Sequence, residues 1–275
     1  MNIKRKLRTW GKRCPFYAVL FGMCFLGGHT AAWMQESQTA SADVAPTAML
    51  AIIMDDFGYH GAGTEEMLAL NIPFTAAVMP FSDHTAEDAA LAMAAGKEII
   101  IHMPMESLTG SQEWVGDKAV RNDMKPEEIR ACVEAAYEAV PQAVGMNNHM
   151  GSAVMENAQA LGSVLDVVHE KGGIFVDSVT TAQSKGAVVA GEKGVPLLER
   201  DVFLDSTEDV EVIRQRLREA ADIALQRGSA VAIGHVGPEG GEKTAQVIAE
   251  MADALEQEGI RFVTVTELVQ YRGMK

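Results

Sequence analysis

Ile52-Ile53-Met54-Asp55-Asp56-Phe57-Gly58 carries an apolar run straight into two carboxylates. The pattern recurs twice. Ile99-Ile100-Ile101 runs into His102-Met103-Pro104-Met105-Glu106, and Ala230-Val231-Ala232-Ile233 runs into Gly234-His235-Val236. Short continuous apolar runs read as strands covered on both faces, as in a parallel sheet sheathed by helices. The first run begins near residue 49, and others fall near 74–79, 142–146, 173–178, 201–204 and 261–265. Helix-like stretches lie between most of them. One opens at Lys125-Pro126-Glu127-Glu128, with Pro near the first turn and acids at the positive dipole end. Another, 156–171, stops at Gly172-Gly173. Alternating strands and helices imply parallel βα units with right-handed crossovers. About eight such units in about 225 residues predict a single α/β domain, a barrel of the (β/α)₈ type or a distorted relative of it, with seven or eight parallel strands. A doubly wound open sheet is the alternative. No glycine-rich phosphate loop follows the first strand, which argues against dinucleotide or ATP chemistry.

The chain of 275 residues divides by composition into 1–30, 31–48 and 49–273. Six basic residues precede the apolar stretch Phe16–Gly28, as in an export signal that is short for a membrane span. Cleavage after Ala40-Ser41-Ala42 and retention as an anchor both remain open. Either way the expected place is the periplasm or the outer face of the inner membrane. Residues 31–48, rich in Ala, Ser and Thr, read as a linker, and 49–273 as the barrel domain. With the basic leader set aside, 43–275 holds 37 acidic and 17 basic residues, a net charge of −20. That excludes an electrostatic footprint for nucleic acid. The domain has one cysteine, Cys132, and hence no internal disulfide despite an oxidising destination. Cys132 reads as a buried, inert thiol.

In parallel α/β folds chemistry collects at strand ends, so the polar residues there are the candidates. Of Asp55 and Asp56, one suits a metal and the other a proton from water. Pro104 argues against a helix through His102 and Glu106, which places both on a loop after the third strand, His102 as a metal ligand and Glu106 as a compatible partner. Gly145-Met146-Asn147-Asn148-His149-Met150-Gly151-Ser152 is the densest polar cluster. Its amides and imidazole suit a loop that offers hydrogen bonds, with Asn147, Asn148 and Ser152 as binding or supporting groups and His149 as functional. Asp177 suits a carboxylate that orients a histidine. Arg200 suits a counter-charge to a buried carboxylate, or an ion pair in the Arg200-Asp201 region. His235, between glycines, suits a general acid. His60, His84 and His169 carry weaker signals.

In their order, Asp-Asp-Phe-Gly, His-Met-Pro-Met-Glu, Asn-Asn-His-Met-Gly-Ser, Val-Asp-Ser and Gly-His-Val resemble the divergent polysaccharide deacetylase family, over about residues 48–272. That family is a remote branch of the carbohydrate esterases that remove acetyl groups from polysaccharides. The resemblance implies a distorted barrel and a divalent metal, commonly zinc. It implies Asp55 as base, Asp56 and His102 as metal ligands, and His235 as leaving-group acid. The family's second metal histidine falls on Glu106 here, so either Glu106 or His149 completes the shell, with Asp56, His102 and His149 the favoured set. The usual Arg-Pro-Tyr element is replaced by Asn147-Asn148-His149. The expected activity is hydrolysis of non-peptide C–N or ester bonds in a cell-envelope glycan of peptidoglycan type. The alternative is a non-catalytic envelope factor that binds glycan, or a peptidoglycan enzyme, through the barrel pocket.

Overall fold

The apolar runs become strands of a single, all-parallel sheet. The computed structural model describes residues 48–273 except 111–114, 117, 238 and 239. In chain order the elements are β1 (Ala48–Phe57), α1 (Thr64–Leu68), β2 (Thr75–Val78), α2 (Thr85–Ala94), β3 (Glu98–Met105), α3 (Pro126–Ala139), β4 (Gly145–Met150), α4 (Ser152–Glu156) and α5 (Ala158–Glu170). There follow β5 (Ile174–Asp177), α6 (Gly186–Lys193), β6 (Leu197–Glu199), β7 (Val202–Phe203), α7 (Val210–Arg227), β8 (Ser229–His235), α8 (Gly241–Gln257), β9 (Ile260–Val263) and α9 (Val265–Gly273). The segment read as signal or anchor lies outside the described residues. So does the linker, except that Ala48, assigned to it, opens β1.

The strand order is β6-β5-β4-β3-β2-β1-β8-β7. Strands adjacent in sequence are adjacent in space along most of this path, without the order reversal of a doubly wound sheet. The sheet curls into a half-barrel. β9 pairs with Ala48–Ala51 of β1 while β2 pairs with Ile53–Phe57, so the two share one edge of β1. The curl opens between β6 and β7, which Arg200 and Asp201 connect.

Period-two alternation sorts each strand between two cores. Ile52, Ile101, Met146, Phe175 and Ala232 face the helices in the larger core. Ala51, Ile53, Ile100, Val176, Val231 and Ile233 face the barrel interior. At the bottom, Val265 and Leu268 of α9 join the interior core, and Val265 N donates to Thr75 Oγ1 at 3.1 Å. Helix starts follow local chemistry. Asn157 Oδ1 accepts from Gln159 N and Ala160 N at α5, and Asp209 Oδ1 from Glu211 N and Val212 N at α7.

Two polar segments expected to be loops are strand. β3 continues through His102 and Pro104 to Met105. Beyond Ile101 it has outrun β2, and on that side Pro104 O accepts from Val120 N. The missing Pro104 N–H therefore costs no bond to β4. β4 is shifted from 142–146 to Gly145–Met150, so Asn147, Asn148 and His149 are strand residues. Asn147 and Asn148 are buried. Their polarity hid the strand, because every buried amide group finds a partner that the sequence does not display. β6 also escaped the sequence reading, being three residues long. Cys132 is half-buried, its Sγ near Lys118 O at 3.5 Å, and burial raises its thiol pKa.

Candidate metal and catalytic site

The interior face changes character as it climbs. Ala51 and Ile53 lead to Asp55, Ile100 to His102, and Ile233 to His235 along the same side of their strands. Asn147 and His149 continue that face on β4. Sheet register then sets neighbours: Asp55 opposite His235, His102 opposite Asn147, and Pro104 opposite His149. A polar rim thus sits on an apolar barrel floor at the C-terminal strand ends.

Adjacent residues on a regular strand point to opposite faces, so Asp55 and Asp56 need a local irregularity to share the mouth. β1 supplies it. Met54 pairs with Ala76 and Phe57 with Val78, so β1 carries an extra residue as a bulge. Asp56 takes the left-handed conformation there, with φ 67°. The turn that follows needs Gly58: at φ 112° an added Cβ would stand 3.0 Å from Met79 O.

Asp56, His102 and His149 offer three ligand atoms to one point. His102 Nε2 and His149 Nδ1 each stand 3.4 Å from Asp56 Oδ1, and 3.0 Å from each other. Two ligands about 2.0–2.1 Å from a tetrahedral zinc ion lie about 3.4 Å apart, so the triangle has the dimensions of a metal shell. Asp56 Oδ1 is buried and receives no hydrogen bond among the described residues. Burial alone would raise the Asp56 carboxyl pKa, but the two histidines outweigh it and hold it far below the usual carboxylate range. Burial likewise works against a charged His102, and Asp55 and Asp56 outweigh it, raising its pKa.

Asn147 joins this cluster to Asp55. Its Nδ2 donates to Asp55 Oδ1 at 2.7 Å, and its Oδ1 lies 2.7 Å from His102 Nδ1. An amide oxygen only accepts, so His102 Nδ1 carries the proton and Nε2 keeps its lone pair for the cluster. Burial raises the Asp55 pKa, opposed by His102, His235 and the Asn147 donor.

On the other side of Asp55 stands His235. Its Nδ1 lies 2.8 Å from Asp205 Oδ1, and Asp205 Oδ2 accepts from His235 N and Thr244 Oγ1 at 2.8 and 2.9 Å. Burial alone would lower the imidazole pKa; Asp205 outweighs it and brings it to about 9. Asp205 is a candidate site residue that the sequence reading missed. It follows Val202-Phe203-Leu204, the same apolar-run-to-carboxylate signal that singled out Asp55, so the sign was present.

Other expected site residues lie elsewhere. Glu106 is not in the metal cluster; its Oε2 accepts from Asn122 N at 2.7 Å. Among the described residues Asp177 orients no histidine. Its oxygens accept from Val179 N at 2.7 Å and Ser184 Oγ at 2.5 Å. Arg200 forms no ion pair among the described residues, and Asp201 pairs instead with Arg227 at 3.2 Å. Ser152 Oγ holds Leu108 N at 2.8 Å and meets Ser107 Oγ at 2.9 Å. Asn148 Oδ1 accepts from Ser178 N at 2.9 Å. His60 pairs with Asp88, which also accepts from Gly58 N and so braces the turn after Asp56.

A curled α/β half-barrel with a two-histidine, one-carboxylate cluster at its rim defines a deacetylase-like class of protein. The chain belongs to the divergent polysaccharide deacetylase family, whose model matches residues 52–269. It is 36% identical over 202 residues to the uncharacterized protein YibQ of Escherichia coli K12, covering 74% of this chain and 61% of that protein. Among solved structures, the uncharacterized protein ATU2773 of Agrobacterium tumefaciens C58 superposes with a TM-score of 0.72 at 19% identity, over 82% of this chain and 90% of that one. The Bc1960 peptidoglycan N-acetylglucosamine deacetylase superposes with a TM-score of 0.50 at 14% identity, over 82% and 89% of the two chains. These two likenesses bear on the fold alone.

Proposed function

We propose that the chain is an exported, metal-dependent hydrolase that removes acyl groups, acetyl foremost, from a cell-envelope polysaccharide of peptidoglycan type. One observation carries this reading. The Asp56–His102–His149 triangle has a second carboxylate, Asp55, on its Asn147 side, and Asp55 has His235 as its register partner. Membership of a polysaccharide deacetylase family supports the substrate class. The basic and then apolar residues of 1–30 support export, as a cleaved signal or an anchor. Among the described residues no helix is long and apolar enough to cross a membrane.

Asp56, His102 and His149 would hold the ion, and its two-nitrogen, one-oxygen donor set suits zinc. A divalent ion held there would supply polarisation of an acyl carbonyl and acidification of a water. Asp55 takes the proton of the attacking water, its carboxylate held in one orientation by Asn147. His235 carries its proton below about pH 9 and gives it to the leaving amine or alkoxide. Asp205 keeps the imidazole turned and charged for that transfer.

The test is elemental analysis of purified protein, wild type beside His102→Ala and His149→Ala, followed by acetate release from acetylated glycans. The expected result is about one divalent ion per chain in wild type, lost in both variants, as for a three-ligand site. Wild type that takes up no metal after reloading, or an Asp55→Asn variant with full activity, would overturn the reading and favour a glycan-binding factor.

A further inference from the structure

The Val176-Asp177-Ser178 motif, Asn148 and Arg200 have no part in the chemistry above, yet the fold ties them into one network at the opening of the half-barrel. Arg200 lies in the two-residue link between β6 and β7, where the curl fails to close. Its Nε donates to Ser178 O at 2.7 Å and its Nη2 to Val179 O at 3.0 Å. Both carbonyls belong to a turn that is itself held. Ser178 N donates to Asn148 Oδ1 at 2.9 Å, Ser178 Oγ to Asn148 O at 2.9 Å, and Val179 N to Asp177 Oδ1 at 2.7 Å. Val179 has φ 50°, a left-handed conformation that a β-branched residue resists. Strain of this kind persists only where surrounding contacts enforce it, and it gathers at ligand clamps.

The guanidinium so held lies over the Phe203 ring, 3.6 Å from its centroid, and that ring is 5.6 Å from the imidazole of His235. Arg200 therefore borders the rim that holds His235, and feels the charges of Asp177 and Asp201 first and of Asp55 after them. It is half-buried and has no ion pair among the described residues, in a chain with 38 acidic residues. On the outer helices, by contrast, Arg130, Arg214 and Arg218 each grip a glutamate. Two backbone carbonyls use only part of the five-donor fork, and a fixed fork with donors to spare matches a carboxylate.

We propose that Arg200 is the recognition site for a carboxylate on the substrate, so that the glycan acted on is an acidic one. This rests on the deacylase reading above and names the substrate class of that same site. A carboxylate of this kind can come from a lactyl ether on the sugar or from a uronic acid.

The test measures binding by calorimetry to the full chain carrying Asp55→Asn, which removes the proposed base and so slows turnover. The probes are tri-N-acetylchitotriose, which is neutral, the disaccharide of N-acetylglucosamine and N-acetylmuramic acid, and an O-acetylated oligouronate. One of the acidic probes is expected to bind at least about tenfold more tightly than the neutral one, and which of them does so identifies the source of the carboxylate. Arg200→Gln should abolish that preference, bringing the acidic probes down to the affinity of the neutral one. Arg200→Lys should keep part of it, since the charge survives without the fork. In the parent chain the preference should shrink as salt rises. Neutral binding with no acidic preference, or a preference that survives Arg200→Gln, overturns the assignment and leaves Arg200 as a brace across the barrel opening. Absence of binding by every probe overturns the glycan reading itself, and this inference with it.

Discussion

His235 with Asp205 and His60 with Asp88 are built alike. In each, a fully buried aspartate takes the imidazole Nδ1 on one oxygen and the histidine's own backbone N–H on the other. In each, a further donor completes the carboxylate: Thr244 Oγ1 for Asp205, Gly58 N for Asp88. Both aspartates raise the pKa of their histidine. The difference is placement. His235 ends a barrel strand on its inner face, in register with Asp55 and against Phe203. His60 follows a strand, in an exposed turn beside His84. The same local motif therefore makes a candidate acid in one place and a turn brace in the other. Its chemistry comes from what lies beyond the pair.

The largest effect that sharpens this contrast is the loss of His235. His235→Gln should lower kcat by about 10²–10⁴-fold, the usual contribution of a general acid, while His60→Gln leaves it nearly unchanged. Equal losses in acetate-release assays would break the distinction. Next is Asp205→Asn, expected to lower kcat by about 10–100-fold, as loss of an orienting carboxylate does. It should also pull the alkaline limb of the pH–rate profile down from about 9. Stability has a matching signature. The folded-state pKa of His235 is raised, so its contribution is complete below the ordinary histidine value of about 6.5 and is lost as pH rises through the folded value. Thermal melts of wild type should therefore fall between neutral pH and about 9, and those of Asp205→Asn should fall less. The smallest effect on catalysis belongs to Asp88→Asn. It leaves buried donors of the 58–60 turn poorly matched and should cost about 1–3 kcal/mol in denaturant unfolding. If Asp88→Asn instead reduced turnover as far as Asp205→Asn, the turn after Asp56 would count as part of the catalytic machinery.

Asp55, Asp56, His102 and His235 were legible because each ends an apolar run, and a buried parallel strand announces itself by continuous hydrophobicity. Asn147 and His149 were legible as chemistry but not as strand, since their polarity breaks the run that marks one. Glu106 and Asp177 had the right residue types at plausible positions, and each was claimed by a nearby loop: Glu106 by Asn122 N, Asp177 by Val179 and Ser184.

By itself the sequence determined the alternation of strands and helices, the parallel barrel it requires, and the residues at the strand ends. These follow from local periodicity and from the need to cover both faces of each strand. Only the tertiary structure decided who meets whom. Asn147 reaches Asp55 across 92 residues of chain and His235 reaches Asp205 across 30. The bulge that turns Asp56 beside Asp55 exists only against β2. Pairings of that kind depend on register, curl and closure of the sheet, which no local pattern encodes.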